Sequence, residues 1–241
     1  MKVTVVGAGG MIGTKLVELL TKEGEQVVAA SRRTGVDVLT GAGLAAALAG
    51  ADTVVDVLNA PSFEAAEVMD FFLTATANLV AAAQQAHVRH YVALSIVGVD
   101  GLPDSPYMRA KIAQEKLVVA SGLPYTIVRA TQFHEFGPAI VDSMTDEDDV
   151  RVPDALIQPI AADEVTAFLA EVAIESPRNH VVNIGGPEKM TFADLANVVM
   201  ARRRDKGKYL KVDSQARYFG TRLKKDSLIT GDGAMLGSIE F

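Results

Sequence analysis

A glycine-rich segment near the amino terminus, residues 7–13 with the sequence GAGGMIG, constrains the fold more than any other part of the chain. An apolar run from Val3 to Val6 precedes it, and an amphipathic stretch that begins at Lys15 follows it. A strand, a glycine turn and the start of a helix in this order are typical of the corner where the phosphates of a dinucleotide bind. The sequence therefore predicts a dinucleotide-binding α/β fold, with a ligand-free glycine turn as the alternative.

Each glycine of the pattern Gly7-x-x-Gly10-x-x-Gly13 has its own expected role. Gly7 permits the tight turn, Gly10 lets the backbone approach a pyrophosphate, and Gly13 lets the helix pack closely on the strand. Met11 and Ile12 open the helix, where free N–H groups and the helix dipole attract phosphate. We therefore assign all five residues to the coenzyme site.

The composition disfavours several classes of protein. The chain has 241 residues, of which 49% are hydrophobic and 20 are glycine, values that suit a buried parallel sheet with tight turns. A formal net charge of -7 disfavours a general nucleic-acid surface. No cysteine is present, so a disulfide, a thiolate metal site and a cysteine nucleophile are excluded. His87 and His90 fall where a helix gives way to a strand, without a third ligand in the pattern, so no metal is expected.

Targeting signals are absent from the sequence pattern. No stretch approaches roughly 18 to 20 uncharged apolar residues, the length that crosses a bilayer. Lys2 leads straight into the first strand, so we expect no signal peptide. We expect a cytoplasmic protein that binds neither membrane nor nucleic acid, and a homo-oligomer remains an option.

Strand-like and helix-like segments alternate through most of the chain, which calls for parallel strands joined by right-handed crossovers. Strands are predicted at residues 3–6, 26–30, 35–38, 53–58, 90–95, 125–128 and 181–184. Helices are predicted from Lys15 and at residues 44–48, 63–86, 106–120, 164–175 and 192–202, with Asp163 and Thr191 as caps of the last two. The fold class is α/β: a doubly wound, mostly parallel Rossmann sheet with helices on both faces and a small C-terminal substrate lobe.

The pattern loosens after Ala130, and the predicted domain boundary follows from this change. Residues 1–130 form the dinucleotide-binding Rossmann core, and residues 131–241 form a smaller C-terminal substrate lobe. One helix and one strand of the second segment, at about 163–184, return to the core. Residues 142–152 are predicted to form a loop or hairpin, and residues 202–225 are basic and weakly periodic.

The end of the second strand distinguishes the two nicotinamide coenzymes. NAD-binding proteins usually place an acidic residue about 20 residues beyond the glycines, where it holds the ribose 2′-hydroxyl. Here the strand ends in Ser31-Arg32-Arg33, and a guanidinium pair suits a 2′-phosphate. NADP(H) is therefore the preferred coenzyme, with two solvated arginines as the alternative. Further candidate contacts follow the next two strands: Asp37 and Val38 for the adenine, and Asn59 for the ribose and pyrophosphate.

Three residues are candidates for the chemistry: Ser95, Tyr107 and Lys111. Tyr107 and Lys111 are four positions apart in a predicted helix, so they share one face. An ammonium near the phenol, together with an oxidised nicotinamide, would favour the phenolate and make Tyr107 a usable proton donor to a forming alkoxide. Lys111 would also hold the nicotinamide ribose, and Ser95, at the end of the fifth strand, would orient the carbonyl oxygen. The alternative has Tyr107 packed on the lobe and Lys111 paired with Glu115 at the surface.

Taken together, these residues resemble the short-chain dehydrogenase/reductases, and more narrowly their atypical NmrA-like branch. The resemblance covers nearly the whole chain and rests on the glycine pattern, Ser31-Arg32-Arg33, Leu94–Gly98, Tyr107-x-x-x-Lys111, Ser121–Arg129 and Gly185-Gly186-Pro187. It implies a Rossmann core, a preference for NADP(H), and a C-terminal lobe that shapes the substrate pocket, with Thr131–Phe133 near the nicotinamide. Arg129-Ala130 stands where many extended reductases carry proline and glycine, so the substrate rules of those enzymes do not transfer.

The residues and the resemblance lead to one expected function and two alternatives. We expect an NADPH-dependent oxidoreductase that reduces a small carbonyl or quinone. The first alternative is a non-catalytic NADP(H)-binding redox sensor or regulatory protein, because some members of the branch bind the dinucleotide without turnover. The second is an epimerase or dehydratase of nucleotide-linked sugars with tightly held NAD, which the arginine pair and the short C-terminal lobe disfavour.

Overall fold

Strands and helices alternate along the chain in the computed structural model, which describes residues 1–205 and 207–241. The strands are β1 (Lys2–Val6), β2 (Gln26–Ala30), β3 (Thr53–Asp56), β4 (His90–Ile96), β5 (Tyr125–Ala130), β6 (Thr145–Asp146), β7 (Asp149–Val152), β8 (Leu156–Ile157), β9 (Val181–Gly185), β10 (Met190–Thr191), β11 (Tyr209–Val212) and β12 (Met235–Leu236). The α-helices are α1 (Met11–Lys22), α2 (Leu44–Leu48), α3 (Ala65–Gln85), α4 (Pro106–Ala120), α5 (Gly137–Asp142), α6 (Ala162–Ile174) and α7 (Phe192–Arg203).

The central sheet joins its strands in the order β12-β9-β5-β4-β3-β1-β2. β1 lies between β2 and β3 and is parallel to both, and the β3–β4 and β12–β9 pairs are parallel as well. The register sets Val6 opposite Ala30 on one side and Asp56 on the other, so the three strands end at one edge. The predicted mostly parallel Rossmann sheet is confirmed. Loops that leave from this edge are where such sheets bind ligands.

Two smaller sheets lie in the second half of the chain. One has the order β11-β7-β6 and the other pairs β10 with β8. β6 and β7 are antiparallel, so the hairpin predicted within residues 142–152 is present. β11 falls within the predicted basic segment, in which Lys206 lies outside the described residues.

Residues 35–38, predicted as a strand, form a turn instead. A short 3-10 helix, Arg32–Thr34, comes before them. The N–H of Asp37 donates to the carbonyl of Ala42 at 2.9 Å, and Oδ1 of Asp37 accepts from the N–H of Leu39 at 2.9 Å. Because these polar groups are satisfied locally, they are not available to a sheet ladder.

The two predicted helix caps have different outcomes. Thr191 caps α7 as predicted: its hydroxyl accepts from the N–H of Asp194 at 3.0 Å, and the Asp194 carboxylate accepts from the N–H of Thr191 at 3.2 Å. The prediction for Asp163 is wrong, because α6 starts at Ala162 and includes it. Asp163 lies in the first turn, where a carboxylate complements the helix dipole, and it pairs with Lys15 at 2.6 Å.

The chain divides into two compact units. Unit 1 comprises residues 1–95, 106–129 and 162–182, and unit 2 comprises residues 96–105, 130–161 and 183–241. In unit 1, α2, α3 and the strands β1 to β5 supply a continuous apolar core that includes Leu48, Val54, Leu79, Tyr91 and Ile127. In unit 2, the rings of the buried residues Phe192 and Tyr218 meet edge to face at 5.8 Å.

Helix α3 is unusually apolar. By length and by a mean hydropathy of 1.2, α3 could cross a membrane, and no other helix among the described residues meets these two criteria. Core helices of soluble proteins can meet the same criteria. Two charged residues, Glu67 and Asp70, interrupt α3, so it is not an uncharged apolar stretch of roughly 18 to 20 residues of the kind considered in the sequence analysis. In the structure, α3 buries Val68, Phe72 and Leu79 within unit 1.

Candidate active site

The glycine corner has the local geometry that the sequence predicts. Gly7 adopts a φ of 91°, and its N–H donates to the carbonyl of Ala30 at 3.1 Å. A Cβ at Gly13 would lie 2.2 Å from the Gly7 oxygen, so only glycine allows α1 to approach the turn this closely. Gly7 and Gly13 are therefore required by the fold of unit 1 itself.

Gly10 differs from the other two glycines. A Cβ at Gly10 would come no closer than 3.4 Å to the Gly7 oxygen, so the chain itself leaves room there for a side chain. Gly10 is also the N-cap of α1 and provides no side-chain acceptor for the first N–H groups of the helix, at Met11 and Ile12. An open cradle over unsatisfied donors fits a phosphate group.

Arg33, one of the arginine pair, lies close to this corner. Ser31 and Thr34 cap the 3-10 helix reciprocally, with the N–H of Ser31 donating to Oγ1 of Thr34 at 2.9 Å. A Cβ at Gly9 would be 3.6 Å from a terminal nitrogen of the Arg33 guanidinium, so that cation flanks the glycine turn. Arg32 and Arg33 are both exposed. Arg33 thus places a positive charge beside the glycine turn, and residues 31–34 contain no acid.

The turn after the 3-10 helix is held by a residue of α3. The amide of Asn78 donates to the carbonyls of Val38 and Leu39, each at 2.9 Å. The Asp37 carboxylate caps the same turn. The adenine contacts predicted for Asp37 and Val38 stay predictions, supported by a fixed backbone at this position.

Tyr107 extends from α4 toward the loop after β3. Its hydroxyl donates to Oδ1 of Asn59 at 2.8 Å, and its ring lies 5.3 Å from Phe63 and 5.9 Å from Phe72. Burial raises the pKa of Tyr107 to about 12. Burial thus acts against the shift toward the phenolate that is expected with an oxidised nicotinamide, because desolvation disfavours the charged form.

Lys111 points into unit 1 and is only 3% exposed. Its Nζ donates to the carbonyl of Leu94 at 2.8 Å and to Oε1 of Gln114, and it lies 4.7 Å from the centre of the Phe72 ring. Burial lowers the pKa of Lys111 to about 8, although the negative charges of Asp56 and Glu115 oppose this shift.

The alternative of a surface contact between Lys111 and Glu115 is wrong. Glu115 is buried and accepts from Arg129 through two nitrogens, at 2.9 and 2.6 Å. Lys111 is buried as well. Both helix residues therefore face the interior of unit 1, each with its own partner.

Ser95 lies near the carboxyl end of β4 and is 3% exposed. Its Oγ has no hydrogen-bond partner among the described residues. A buried hydroxyl without a partner is uncommon, so the site fits a ligand that supplies one. Ser95 follows Leu94, the residue whose carbonyl receives the Lys111 ammonium.

Three polar residues that the sequence analysis did not assign complete the interior of the site. Oδ2 of Asp56 accepts from the Tyr91 hydroxyl and from Nε2 of Gln114, each at 2.9 Å. All three residues are buried. Two sequence signals could have revealed part of this network. One is a carboxylate at the end of a buried strand, and the other is a glutamine three positions after Lys111 on the same helix.

The two histidines noted in the sequence lie apart from this network. His90 is buried within β4, with Nε2 2.8 Å from Oγ1 of Thr126. His87 follows α3 with a φ of 53°. Residues 1–205 and 207–241 contain no group of three or more His, Cys, Asp or Glu side chains that could hold a metal ion.

The amino-acid sequence is similar to a known family and to two curated relatives. The sequence model of the NAD(P)H-binding family matches residues 7–176. The photosystem II assembly factor Ycf39 of Synechocystis sp. strain PCC 6803 is 26% identical over 147 residues, which are 55% of this chain and 45% of that protein. Ycf39 of Cyanophora paradoxa is 27% identical over 215 residues, which are 81% of this chain and 66% of that protein. The chain thus spans less than two thirds of the length of these relatives.

The fold itself is shared with nucleotide-sugar proteins. The structure of MoeE5 in complex with UDP-glucose and NAD superimposes with a TM-score of 0.73 at 23% identity, and covers 90% of this chain and 87% of that one. At this identity the likeness shows the Rossmann fold alone.

Proposed function

The chain belongs to the NAD(P)H-binding family, and on that premise we propose that it is an NADPH-dependent reductase of a small carbonyl or quinone. The observation that carries the proposal is that three features occur in unit 1. They are the phenol of Tyr107, which donates a hydrogen bond, the buried hydroxyl of Ser95, which has no partner among the described residues, and the glycine corner. A proton donor and a carbonyl-orienting hydroxyl are the two groups that such a reduction needs from the protein.

The preference for NADP(H) rests on charge at the end of β2. Arg33 flanks the glycine turn, and Arg32 precedes it in the same short helix. Gly10, Met11 and Ile12 would hold the pyrophosphate, and the two guanidinium groups would hold the 2′-phosphate. When bound, the reduced coenzyme supplies the hydride.

Tyr107 is the candidate proton donor for the reduction. A phenol whose pKa is raised to about 12 stays protonated near neutrality, which is the form a general acid requires. In the reduction, the carbonyl carbon gains the hydride, the oxygen becomes an alkoxide, and Tyr107 donates its proton to that oxygen. An alkoxide is a stronger base than a phenolate, so this transfer is downhill.

The arginine pair Arg32-Arg33 weighs against a nucleotide-sugar epimerase or dehydratase with tightly held NAD. MoeE5, whose structure contains UDP-glucose and NAD, shares only the fold with this chain.

An exposed aromatic residue supports a flat acceptor. Phe63 is 66% exposed, and its ring lies 5.3 Å from that of Tyr107. The two rings offer an apolar surface against which a quinone or aromatic aldehyde can stack. A quinone also depends less on the proton of Tyr107, because its reduced anion is a weak base.

A second candidate is an NADP(H)-binding regulatory or assembly protein without rapid turnover. Two observations favour it: the relatives are named assembly factors, and the Lys111 ammonium donates inward to Leu94 and Gln114. In this role, coenzyme binding would alter the affinity for a protein partner.

The deciding experiment mixes the purified protein with NADPH and a panel of quinones, aldehydes and ketones and follows the loss of NADPH absorbance. We expect turnover, and for aldehydes and ketones we expect a fall of about 100-fold or more in Tyr107→Phe. Tyr209→Phe is the matched control, since that tyrosine is 65% exposed and lies in unit 2. Quinone turnover that survives in Tyr107→Phe identifies direct hydride transfer. Tight NADPH binding without turnover on any acceptor favours the regulatory candidate instead.

A further inference from the structure

The interior of unit 1 contains an ammonium and a carboxylate that are joined through one amide. Nζ of Lys111 donates to Oε1 of Gln114, and Nε2 of Gln114 donates to Oδ2 of Asp56 at 2.9 Å. Gln114 is 1% exposed, Lys111 3% and Asp56 0%. Charges this deeply buried need complementary partners, and the amide of Gln114 provides one to each of them.

The orientation of that amide follows from hydrogen-bond chemistry. An ammonium only donates and an ionised carboxylate only accepts, so the oxygen of Gln114 must face Lys111 and its nitrogen must face Asp56. Oδ1 of Asp56 accepts from the N–H of Leu58 at 3.0 Å, and the Tyr91 hydroxyl occupies the remaining position on Oδ2. The carboxylate is thus supplied with donors from three directions and holds Gln114 in a single orientation.

The other end of the network reaches the candidate catalytic serine. Lys111 also donates to the carbonyl of Leu94 at 2.8 Å, which belongs to the peptide that joins Leu94 to Ser95. An ammonium at this carbonyl fixes the orientation of the peptide plane. It thereby fixes the position of the Ser95 Cα, from which the side chain extends. Ser95 has a buried hydroxyl with no protein partner, so its direction depends on the backbone that carries it.

We propose that Gln114 is a positioning residue: its amide links the Asp56 carboxylate to Lys111, keeps the ammonium charged, and so fixes the Leu94–Ser95 peptide at the end of β4. The consequence for turnover rests on the reductase function proposed above. The charged groups that face Lys111 are Asp56 from β3 and Glu115 from its own helix, and Glu115 is already paired with Arg129. Asp56, reached through Gln114, is therefore the anion available to hold Lys111 protonated.

The test measures the titration of Lys111 directly, in the full chain without coenzyme. The protein is labelled with ¹⁵N,¹³C-lysine, the Nζ signal is assigned with Lys111→Met, and its midpoint is followed by NMR. We expect a midpoint of about 8 in the native protein. In Gln114→Leu and in Asp56→Asn we expect it to fall by roughly 1 unit or more. Gln84→Leu is the matched control, because Gln84 bonds to Ser121 elsewhere in unit 1 and should leave the midpoint unchanged.

A charge exchange separates this role from general loss of packing. In the double variant Asp56→Asn/Gln114→Glu, the carboxylate at residue 114 contacts Lys111, and the amide at residue 56 donates to that carboxylate. The midpoint of Lys111 should therefore return to about 8 or rise above it. Restored protonation in the double variant supports the proposal even if Gln114→Leu folds poorly. An unchanged midpoint in both single variants, or a double variant as low as the single ones, overturns it.

Turnover provides the second measurement. In the native protein kcat for a carbonyl acceptor should fall as the pH rises through about 8, and in Asp56→Asn this fall should begin roughly 1 unit lower. If the pH profile of kcat is the same in both proteins, the link to Ser95 is overturned. If the native protein turns over no acceptor, the reductase proposal fails, whereas the Lys111 midpoints still decide the role of Gln114.

Discussion

The hydroxyl of Tyr107 donates a hydrogen bond to Oδ1 of Asn59 at 2.8 Å, which ties the phenol on α4 to the loop after β3. Oδ1 of Asn59 also accepts from the N–H of Ala60 at 3.0 Å, so the acceptor is itself held in place. The direction of the phenol is thus set by a residue that the sequence analysis assigned to the coenzyme.

Asn59→Ala should weaken carbonyl reduction by about tenfold in kcat, because a general acid loses effectiveness when its orientation is lost. The free energy of unfolding should fall by about 1 kcal/mol, the typical net contribution of one hydrogen bond. Steady-state NADPH oxidation and urea unfolding measure the two effects. Asn197→Ala, an exposed change on α7, is the control. Equal kcat in the Asn59 and Asn197 variants would contradict this role.

Arg33→Ala should raise the Kd for NADPH by about tenfold or more and leave the Kd for NADH unchanged, because a charge-assisted hydrogen bond to the 2′-phosphate contributes roughly 1.5–3 kcal/mol. Arg32→Ala should act in the same direction. Calorimetric titration with both coenzymes measures this, with Arg89→Ala as a control whose guanidinium pairs with Asp52. Native protein that binds NADH as tightly as NADPH would refute the coenzyme preference.

Gly13→Ala and Gly10→Ala should separate folding from binding. The new Cβ at residue 13 would lie 2.2 Å from a backbone oxygen, so we expect a loss of about 3 kcal/mol or more and a lower Tm. A Cβ at residue 10 would lie 3.4 Å from its nearest neighbour, the Gly7 oxygen, so the Tm should stay unchanged while the affinity for NADPH falls. Thermal unfolding and NADPH titration on both variants decide this. A Gly10→Ala protein that binds NADPH normally would show that no phosphate approaches there.

His90 should make the protein less stable in mild acid. Burial lowers the pKa of His90 to about 4, with the positive charge of Arg178 adding to the shift and the Glu175 carbonyl and carboxylate opposing it. The unfolded chain binds the proton at about pH 6.5, so the stabilisation is complete above that pH and is lost as pH falls toward 4. Urea midpoints between pH 7 and 4 should fall more steeply in the native protein than in His90→Gln.

The matched control for that experiment is His180→Gln, because His180 is exposed. Its urea midpoints should follow those of the native protein across the range. Parallel profiles for all three proteins would mean that His90 is protonated without penalty in the folded state.

Much of the fold could be read from the sequence because its signals are local. The glycine spacing predicted the turn, and the open Gly10 and the crowded Gly13 agree with the roles assigned to them. Residues 35–38 were predicted as a strand from two valines. The structure forms a turn there because the Asp37 side chain competes successfully for the backbone N–H of Leu39.

Local sequence patterns could not predict the hydrogen-bond partners within the candidate site. The four-residue spacing correctly predicted that Tyr107 and Lys111 lie on one helix, α4. It could not predict that their polar atoms bond to different partners, Asn59 for the phenol and Gln114 with Leu94 for the ammonium. Asn59 follows β3 and Leu94 lies in β4, both distant in sequence from α4, whereas Gln114 is three positions after Lys111 on the same helix.

By itself, then, the sequence determined the order of strands and helices, the glycine corner and the positive charge beside it, because each depends on residues within a few positions of one another. Only the tertiary structure decided the protonation of the site. The pKa of Tyr107 rises and that of Lys111 falls through burial, and Asp56 reaches Lys111 through Gln114. Desolvation depends on everything packed around a group, and no spacing along the chain encodes that sum.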